Sequence, residues 1–205
     1  MSFRSVKTAL RLRPVRYIVW GQALFAAMMA VCLVKRPAAD ALEGGLSYYG
    51  VHVDTAVPFV AGVAGCAFLT AAATCWIESR APWVPRLRAA ILTVLVLMVG
   101  IPATPYSIDI VIDWLHIGIS VVLFAGALAV GGWIALVVRT LAALVLVAVQ
   151  ALSGLVAGAA QVGLVGLMIP SQIVFQFAFA ALVVAAIATA HHWQPRKSDS
   201  KEVSA

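Results

Sequence analysis

Long apolar runs, each closed by charge, proline or aromatic residues, dominate the pattern of the chain. Six of these runs are long enough to cross a bilayer, whose hydrocarbon core takes about 20 mainly apolar residues as a helix. Unpaired backbone groups are costly in hydrocarbon, so the runs are expected to be helical. The predicted spans are residues 17–34, 58–77, 88–103, 108–138, 141–167 and 171–190. The pattern predicts an all-α fold, a bundle of six transmembrane helices.

Proline and small polar residues mark the expected helix boundaries. Pro58 is predicted in the first turn of the second helix, where a missing N–H group is tolerated. Ser107 is expected to cap the fourth helix, with Asp109 in its first turn. After Arg139 no charged residue occurs until the C-terminal tail. This apolar stretch is predicted to divide at Pro170 into the fifth and sixth helices.

Composition narrows the class of protein. Of the 205 residues, 63% are hydrophobic and 11% are charged, and the mean hydropathy is +1.03. A soluble domain has about a quarter of its residues charged, so a soluble fold, intrinsic disorder and a disulfide scaffold are excluded. The bias toward Ala, Val, Leu and Arg is typical of a high-GC bacterial genome, and we expect a bacterial cytoplasmic membrane protein.

The distribution of basic residues predicts the orientation. With a cytoplasmic N-terminus, all but Lys35 and Arg36 of the fourteen Lys and Arg residues fall on the cytoplasmic side, where such residues are retained. Both termini are therefore predicted to be cytoplasmic. Topology accounts for the net charge of +6, so no nucleic-acid partner is expected. The alternative for the N-terminus is a signal peptide, because residues 39–41 fit a small-x-small cleavage pattern.

The segment 1–16 carries a basic pattern at helical spacing. Arg4, Lys7 and Arg11 recur beside Phe3 and Val6, so a helix here would be amphipathic and would contact the anionic inner leaflet. The alternative is a disordered topology signal. The tail 191–205 is predicted to be a polar cytoplasmic segment.

A polar stripe at the start of the fourth helix is the most informative constellation. Its members recur at spacings that place them on one helix face: Asp109, Asp113, His116 and Ser120. Two carboxylates and an imidazole could act as a proton relay, an acid/base pair or half of a metal site. The structural alternative is that Asp109 caps the helix while Asp113 and His116 pair at an interface.

The fifth and sixth helices carry amides and glycines. The amides are Gln150, Gln161, Gln172 and Gln176. Gly154 and Gly158 form a GxxxG pattern, which permits close approach of two helices in lipid. We expect these glycines to pack against another helix. The alternative interpretation of the glutamines is a substrate or ion path between the fifth and sixth helices.

No cofactor is predicted. The cysteines Cys32, Cys66 and Cys75 form no metal-ligand spacing, and we expect them to act as small packing residues. Haem between helices requires a facing pair of histidines, and His116 lies near the opposite membrane surface from His191 and His192 in the predicted topology. The sequence therefore predicts neither a metal nor a haem site.

The motif Gly45-Leu46-Ser47-Tyr48-Tyr49-Gly50, together with His116 and Phe124, resembles an uncharacterised bacterial family of six-helix membrane proteins. That family is similar in layout to DRAM-type and Frag-type membrane proteins. The resemblance covers about residues 15–190. It implies the six-helix architecture and supplies no activity.

Three functional hypotheses follow. The first is a non-enzymatic membrane protein, either an accessory subunit that binds another membrane protein or a binder of a lipid-like molecule at its outer face. The second is a small secondary carrier with a path between the fifth and sixth helices. The third is an intramembrane hydrolase or transferase that uses Asp109, Asp113 and His116.

Overall fold

The structure, a computed structural model, describes residues 11–37, 45–105 and 109–193. These residues form six long helices and one short helix, Tyr48–Val51, with no strand among them. The long helices are α1 Arg13–Lys35, α2 Val53–Cys75, α3 Val84–Ala103, α4 Ile110–Val138, α5 Leu141–Gln161 and α6 Met168–His191. Each is long and apolar enough to cross a membrane. The all-α six-helix bundle is therefore confirmed, and the chain is a multi-pass membrane protein.

Five of the helices form a ring and the sixth packs outside it. Going round the ring, α1 contacts α2, α2 contacts α3, α3 contacts α4, α4 contacts α6, and α6 returns to α1. The outer helix, α5, packs on α4 and α6. We call the end that carries residues 76–83 the basic end and the end that carries residues 45–52 the loop end. The interior of the ring is the space in which a site can form.

Small residues bring α1 and α2 into close contact. A side chain at Gly62 would lie 2.8 Å from the Cβ of Met28, and one at Gly21 would lie 3.3 Å from the carbonyl oxygen of Cys66. Apolar side chains gain nothing by leaving lipid, so such close packing is what holds two helices together in a membrane. At the basic end, the guanidinium of Arg13 lies 4.3 Å from the ring centre of Trp76 and adds a cation–π contact.

The predicted start of the second helix is wrong. The helix begins at Val53, so Pro58 lies inside it and not in its first turn. Proline has no N–H group, so it leaves the carbonyl four residues earlier, that of Asp54, without its helical partner. The ammonium of Lys35 donates to that carbonyl oxygen at 2.9 Å. Lys35 of α1 thus provides the hydrogen bond that Pro58 cannot donate within α2.

Further boundaries differ from the predictions. The helices α1 and α3 each begin four residues earlier than predicted, at Arg13 and Val84. Asp109, and not Ser107, is the N-cap of α4, and Ser107 itself lies outside the described residues. The apolar stretch divides at residues 162–167, where Gly163 adopts φ +76°, and not at Pro170. Pro170 lies in the first turn of α6, where the backbone N–H groups have no partner within the helix. The missing N–H of proline therefore costs little there.

Candidate functional site

The interior of the helix ring contains a cavity of about 110 Å³. Its wall is formed by side chains from α1, α2, α3, α4 and α6, and its cover at the loop end by residues 46–47. No lining residue comes from α5. Most of the lining is apolar; examples are Phe25, Phe59, Leu95, Met98, Phe124 and Phe175. None of the described residues that line the cavity is charged.

Polar side chains form a cluster deep in the cavity, toward the basic end. Gln22 of α1 donates its amide N–H to the Sγ of Cys66 at 3.2 Å, and the amide of Gln176 lies 3.7 Å from the same sulfur. Thr70 follows Cys66 by one helical turn and also lines the cavity. We call Gln22, Cys66, Thr70 and Gln176 the deep cluster.

Two oxygen atoms of the deep cluster have no hydrogen-bond partner among the described residues: Oε1 of Gln22 and Oγ1 of Thr70. Gln22 is 9% exposed and Thr70 is 5% exposed, so the bundle shields both side chains from its surroundings. A buried polar atom without a partner carries the full cost of its desolvation, about 1–3 kcal/mol. Both residues line the cavity, although the two oxygens themselves have no accessible surface in it.

At the loop end the polar groups that line the cavity are paired. The side-chain oxygen of Gln172 accepts a hydrogen bond from the backbone N–H of Leu46 at 2.8 Å. The hydroxyl of Ser47 lies 2.9 Å from Nε2 of His116. Residues 45–52, which we call the cap, are thereby fixed to α6 and α4. Gly45 adopts φ +59° beside Gln172, a conformation that glycine takes without strain.

The cap is also fixed to α1 and α2. The phenol of Tyr49 donates to the carbonyl oxygen of Arg36 at 3.3 Å, and the hydroxyl of Thr55 donates to the carbonyl oxygen of Tyr49 at 2.9 Å. Burial raises the pKa of Tyr49 above its ordinary value. Beside Tyr49, the Nε of Arg36 and a carboxylate oxygen of Asp54 form a salt bridge of 3.0 Å. The hydrogen bond to this carboxylate raises the pKa of the Arg36 guanidinium. The cap therefore closes the cavity with contacts to four helices.

The polar stripe predicted on α4 is divided between the surface and the interior. Asp109 is exposed, and its carboxylate accepts a hydrogen bond from the backbone N–H of Val111 at 2.8 Å, so it caps the helix. Asp113 is half-buried, and Ser120 lies on the cavity wall. Of the four predicted residues, Ser120 alone lines the cavity.

His116 joins three segments at the loop end. Its Nδ1 contacts the carbonyl oxygen of Thr104, just after α3, and its Nε2 contacts the hydroxyl of Ser47 in the cap. A carbonyl oxygen only accepts, so Nδ1 donates to Thr104, and Nε2 shares the second hydrogen bond with the hydroxyl of Ser47. The observed contacts of His116 position the cap over the cavity.

The four predicted glutamines do not meet. Gln150 is fully buried in α5 and donates to the carbonyl oxygen of Ala127 in α4 at 3.2 Å. Gln161 is exposed at the end of α5. Gln172 and Gln176 line the cavity, which α5 does not reach. The predicted path between the fifth and sixth helices is therefore not formed by these residues.

The two glycines of the GxxxG pattern also differ. A side chain at Gly154 would lie 3.4 Å from the ring of Phe175, so this glycine faces α6. Gly158 is exposed, and no described atom lies within 4 Å of the position of its missing side chain. The packing prediction thus agrees with the position of Gly154 and fails for Gly158 within the described chain. The α5 face that packs inward carries Gln150, Ser153, Ala157 and Ala160.

Sequence analysis missed Gln22 and Thr70, and it assigned Cys66 to apolar packing alone. One signal was present, because Gln22 is the only amide in the run of residues 17–34. An intramembrane polar residue is expected to face the interior of a bundle or a cavity. Which neighbours it meets depends on how the helices pack, and hydropathy does not report that.

The remaining predicted residues fall at the periphery. Arg4 and Lys7, predicted to contact lipid, lie outside the described residues, and Arg11 is exposed just before α1. Within residues 11–37, 45–105 and 109–193, no group of three or more His, Cys, Asp or Glu side chains is placed to hold a metal ion. The deep cluster offers amides, a thiol and a hydroxyl, which bind ligands through hydrogen bonds.

Comparison with known proteins identifies no relative. No family model matches the chain, no curated protein matches it, and no solved structure matches its fold. The residues of the cavity and the deep cluster are therefore the basis on which a function is inferred.

Proposed function

We propose that this membrane protein binds a lipid-like molecule, without changing it chemically, in the cavity inside the helix ring. The observation that carries the proposal is the cavity itself, whose described wall is mainly apolar, carries no charge and includes the side chains of Gln22, Thr70 and Gln176. Sites for small molecules have this character, with apolar surfaces and a few polar groups that fix orientation. A molecule with a hydrocarbon part and one polar group matches both parts of the wall.

The proposed orientation places the loop end outward, in a bacterial cytoplasmic membrane with both termini inside. It rests on the basic residues, which apart from Lys35 and Arg36 belong to segments on the other side. The cap then lies at the outer membrane surface and covers the binding cavity. At the inner surface, Arg4, Lys7 and Arg11 are proposed to contact anionic lipid.

The carrier and enzyme hypotheses have less support. A path between α5 and α6 gains no support from the cavity inside the ring, because none of the described residues that line it belongs to α5. An enzyme built on Asp109 would need that carboxylate near a bound molecule, whereas it caps α4 at the surface. The lining of the cavity is made of groups that do not exchange protons near neutral pH, which suits binding better than acid/base chemistry.

An accessory role through binding to another membrane protein has one favourable observation. In α4 and in α5, only 22% of the most apolar stretch is buried inside the bundle, compared with 56% in α6. In a membrane, however, lipid covers the exposed apolar surface of α4 and α5 as well as a partner protein would. The cavity is therefore the stronger basis for a function.

The test is lipid analysis of the purified protein after exchange from mild detergent into nanodiscs of one defined phospholipid. Lipid carried through purification is extracted and measured by mass spectrometry. Ser120→Phe places a ring in the cavity, and Val121→Phe, whose side chain is 63% exposed at the next position, is the matched control. We expect a near-stoichiometric lipid in the wild type and in Val121→Phe, and its loss in Ser120→Phe.

Both variants are first shown to be folded by their elution profile and thermal denaturation. Equal lipid content in Ser120→Phe and Val121→Phe would contradict the proposal, because the bound molecule would then lie outside the ring. Absence of any retained lipid in the wild type would contradict it as well.

A further inference from the structure

We propose that a second site, a pocket at the basic end of the bundle, binds the phosphoethanolamine headgroup of a membrane lipid. The pocket has a volume of about 310 Å³ and lies where α1 begins and where α2 and α6 end. We call it the end pocket. None of the described residues lines both the end pocket and the cavity inside the ring. The two sites are therefore separate, and binding at one does not require binding at the other.

The end pocket carries a cation and an anion that do not neutralise each other. Arg13 and Glu78 both line it, and both side chains are exposed. The structure shows no ion pair between them, and neither side chain forms a hydrogen bond with another described residue. A ligand with one anionic and one cationic group can therefore meet both charges in the same pocket.

Arg13 is positioned to bind a phosphate group. Its guanidinium lies over the ring of Trp76, 4.3 Å from the ring centre. Stacking uses the flat face of a guanidinium and leaves the N–H groups, which lie in its plane, able to donate. The planar fork of N–H groups matches two oxygens of a phosphate. Trp76 thus holds the cation in place without using its hydrogen bonds.

Glu78 favours a primary ammonium group over the other common headgroups. A carboxylate accepts hydrogen bonds, and the ammonium of ethanolamine has three N–H groups to donate, whereas the quaternary ammonium of choline has none. Choline is bound through aromatic faces, and Arg13 already covers one face of Trp76. A headgroup that carries only the phosphate charge gains nothing from Glu78 and is repelled by it.

The segment that carries Glu78 is fixed on both sides of this residue. The hydroxyl of Ser79 donates to the carbonyl oxygen of Ala190 in α6 at 2.7 Å. The guanidinium of Arg88 in α3 donates to the carbonyl oxygen of Ile77 at 2.6 Å. The backbone of Glu78 is therefore held between two helices, and a ligand that binds there does not have to order this loop.

The ends of the helices have the same polarity as the two side chains. A helix carries a partial positive charge at its start and a partial negative charge at its end. Arg13 is the first residue of α1, and Glu78 follows the end of α2. The phosphate side of the end pocket thus lies at a helix start, and the ammonium side lies beyond a helix end.

The rest of the wall favours a lipid over a free, water-soluble phosphoethanolamine. Leu12, Ile77 and Ile187 also line the end pocket. The first carbons of a lipid can cover these apolar side chains, and a free headgroup has no hydrocarbon to do so. The end pocket also lies at the ends of helices that cross the membrane, which is the level of the lipid headgroups.

Titration of the full-length protein in mild detergent with three lipids tests this assignment. The lipids are dioleoyl phosphatidylethanolamine, phosphatidylcholine and phosphatidylglycerol, which share their acyl chains and differ in the headgroup. Native mass spectrometry measures the affinity of the first bound molecule. We expect phosphatidylethanolamine to bind about fivefold more tightly than the other two, the factor that one partly exposed ion pair supplies.

Variants at the two charges separate their roles. Glu78→Gln should weaken phosphatidylethanolamine binding about fivefold and leave phosphatidylglycerol binding at least as strong, while Glu78→Asp should keep the preference for ethanolamine. Arg13→Gln should weaken the binding of all three lipids, because each carries a phosphate. The matched control is Arg86→Gln, which changes an exposed arginine at the start of α3, outside the end pocket, and should change no affinity. Thermal denaturation checks that each variant is folded.

The remaining outcomes are each decisive. Equal affinity for the three lipids in the wild type would overturn the phosphoethanolamine assignment, and tightest binding of phosphatidylglycerol would leave no role for Glu78. Displacement of the lipid by an equal concentration of free phosphoethanolamine would overturn the lipid as the source of the headgroup. Ser120→Phe, which fills the cavity inside the ring, should leave phosphatidylethanolamine binding unchanged. Loss of that binding would overturn the end pocket as its site, whereas the cavity proposal stands or falls by the lipid retained through purification.

Discussion

Gln22 of α1 and Gln150 of α5 are both buried amides in membrane-spanning helices, but their surroundings differ. The amide nitrogen of Gln150 donates to the carbonyl oxygen of Ala127. Its Oε1 also has no hydrogen-bond partner among the described residues, but it fills the space that a side chain at Gly131 would occupy. The amide of Gln22 is held by a thiol, and its Oε1 belongs to a residue on the wall of a cavity. The first glutamine lies in a packed interface and the second in a space that admits a ligand.

The comparison shows how the same side chain serves two purposes. In the interface of α4, α5 and α6, the missing side chain of Gly131 leaves the space that the amide of Gln150 occupies. Inside the ring, Gln22 lies on the wall of the cavity, and its Oε1 has no hydrogen-bond partner among the described residues. We therefore expect changes at Gln150 and Gly131 to affect stability, and changes at Gln22 to affect binding.

The largest effect is expected for Gly131→Ala. The added methyl group would collide with Oε1 of Gln150 and would lie 3.2 Å from Cδ1 of Leu182. Overpacking of this kind costs about 1–3 kcal/mol. The matched control is Gly132→Ala, where no described atom lies within 4 Å of the added carbon. Thermal denaturation in detergent should show a clear loss of stability for the first variant and little change for the second.

The double variant Gly131→Ala with Gln150→Ala tests the cause of that loss. Removing the amide provides space for the new methyl group, so the double variant should be more stable than the sum of the two single changes predicts. Strict additivity would show that Gln150 does not occupy the space beside Gly131.

An intermediate effect is expected from replacing each glutamine by methionine, which has a similar length and no amide. Gln150→Met removes one hydrogen bond between helices, and its unfolding free energy should fall by about 0.5–1 kcal/mol. Gln22→Met removes a hydrogen bond to a thiol, which is a weak acceptor, so its stability should stay within error of the wild type while the amount of lipid retained through purification falls. A loss of stability in Gln22→Met together with no loss in Gln150→Met would contradict the comparison.

The smallest effect is expected at the cap. Asp54→Asn removes the ion pair with Arg36, whose side chains are 35% and 44% exposed. Exposed ion pairs contribute less than about 1 kcal/mol and are screened by salt. The difference in Tm between this variant and the wild type should be small at low ionic strength and should vanish in high salt. A large decrease in Tm that does not depend on salt would mean that Asp54 stabilises the cap through an interaction other than this ion pair.

The fold could be predicted from the sequence because the bilayer imposes strict rules. Backbone groups in hydrocarbon must be paired within the helix, so six apolar runs indicated six helices. The boundaries were harder, because they depend on contacts. Pro58 lies inside α2 since Lys35 of α1 donates to the carbonyl oxygen of Asp54, and no local pattern around Pro58 contains that information.

The site could be predicted only in part. Ser120, Gln172 and Gln176 were named as candidates and line the cavity, whereas Gln150 and Gln161 do not. Spacing along one helix shows which residues share a face, but not which face is turned toward the ring. Gln22 and Thr70 come from α1 and α2, and their proximity to Gln176 of α6 exists only in the folded bundle.

An experimental structure of the wild-type protein in nanodiscs, purified without added ligand, tests the central claim most directly. The account predicts density for a bound molecule inside the ring, beneath Leu46 and between the side chains that line the cavity. Helices that close on one another, with the Oε1 of Gln22 bonded to a protein group and density confined to the outer surface of the bundle, would contradict it.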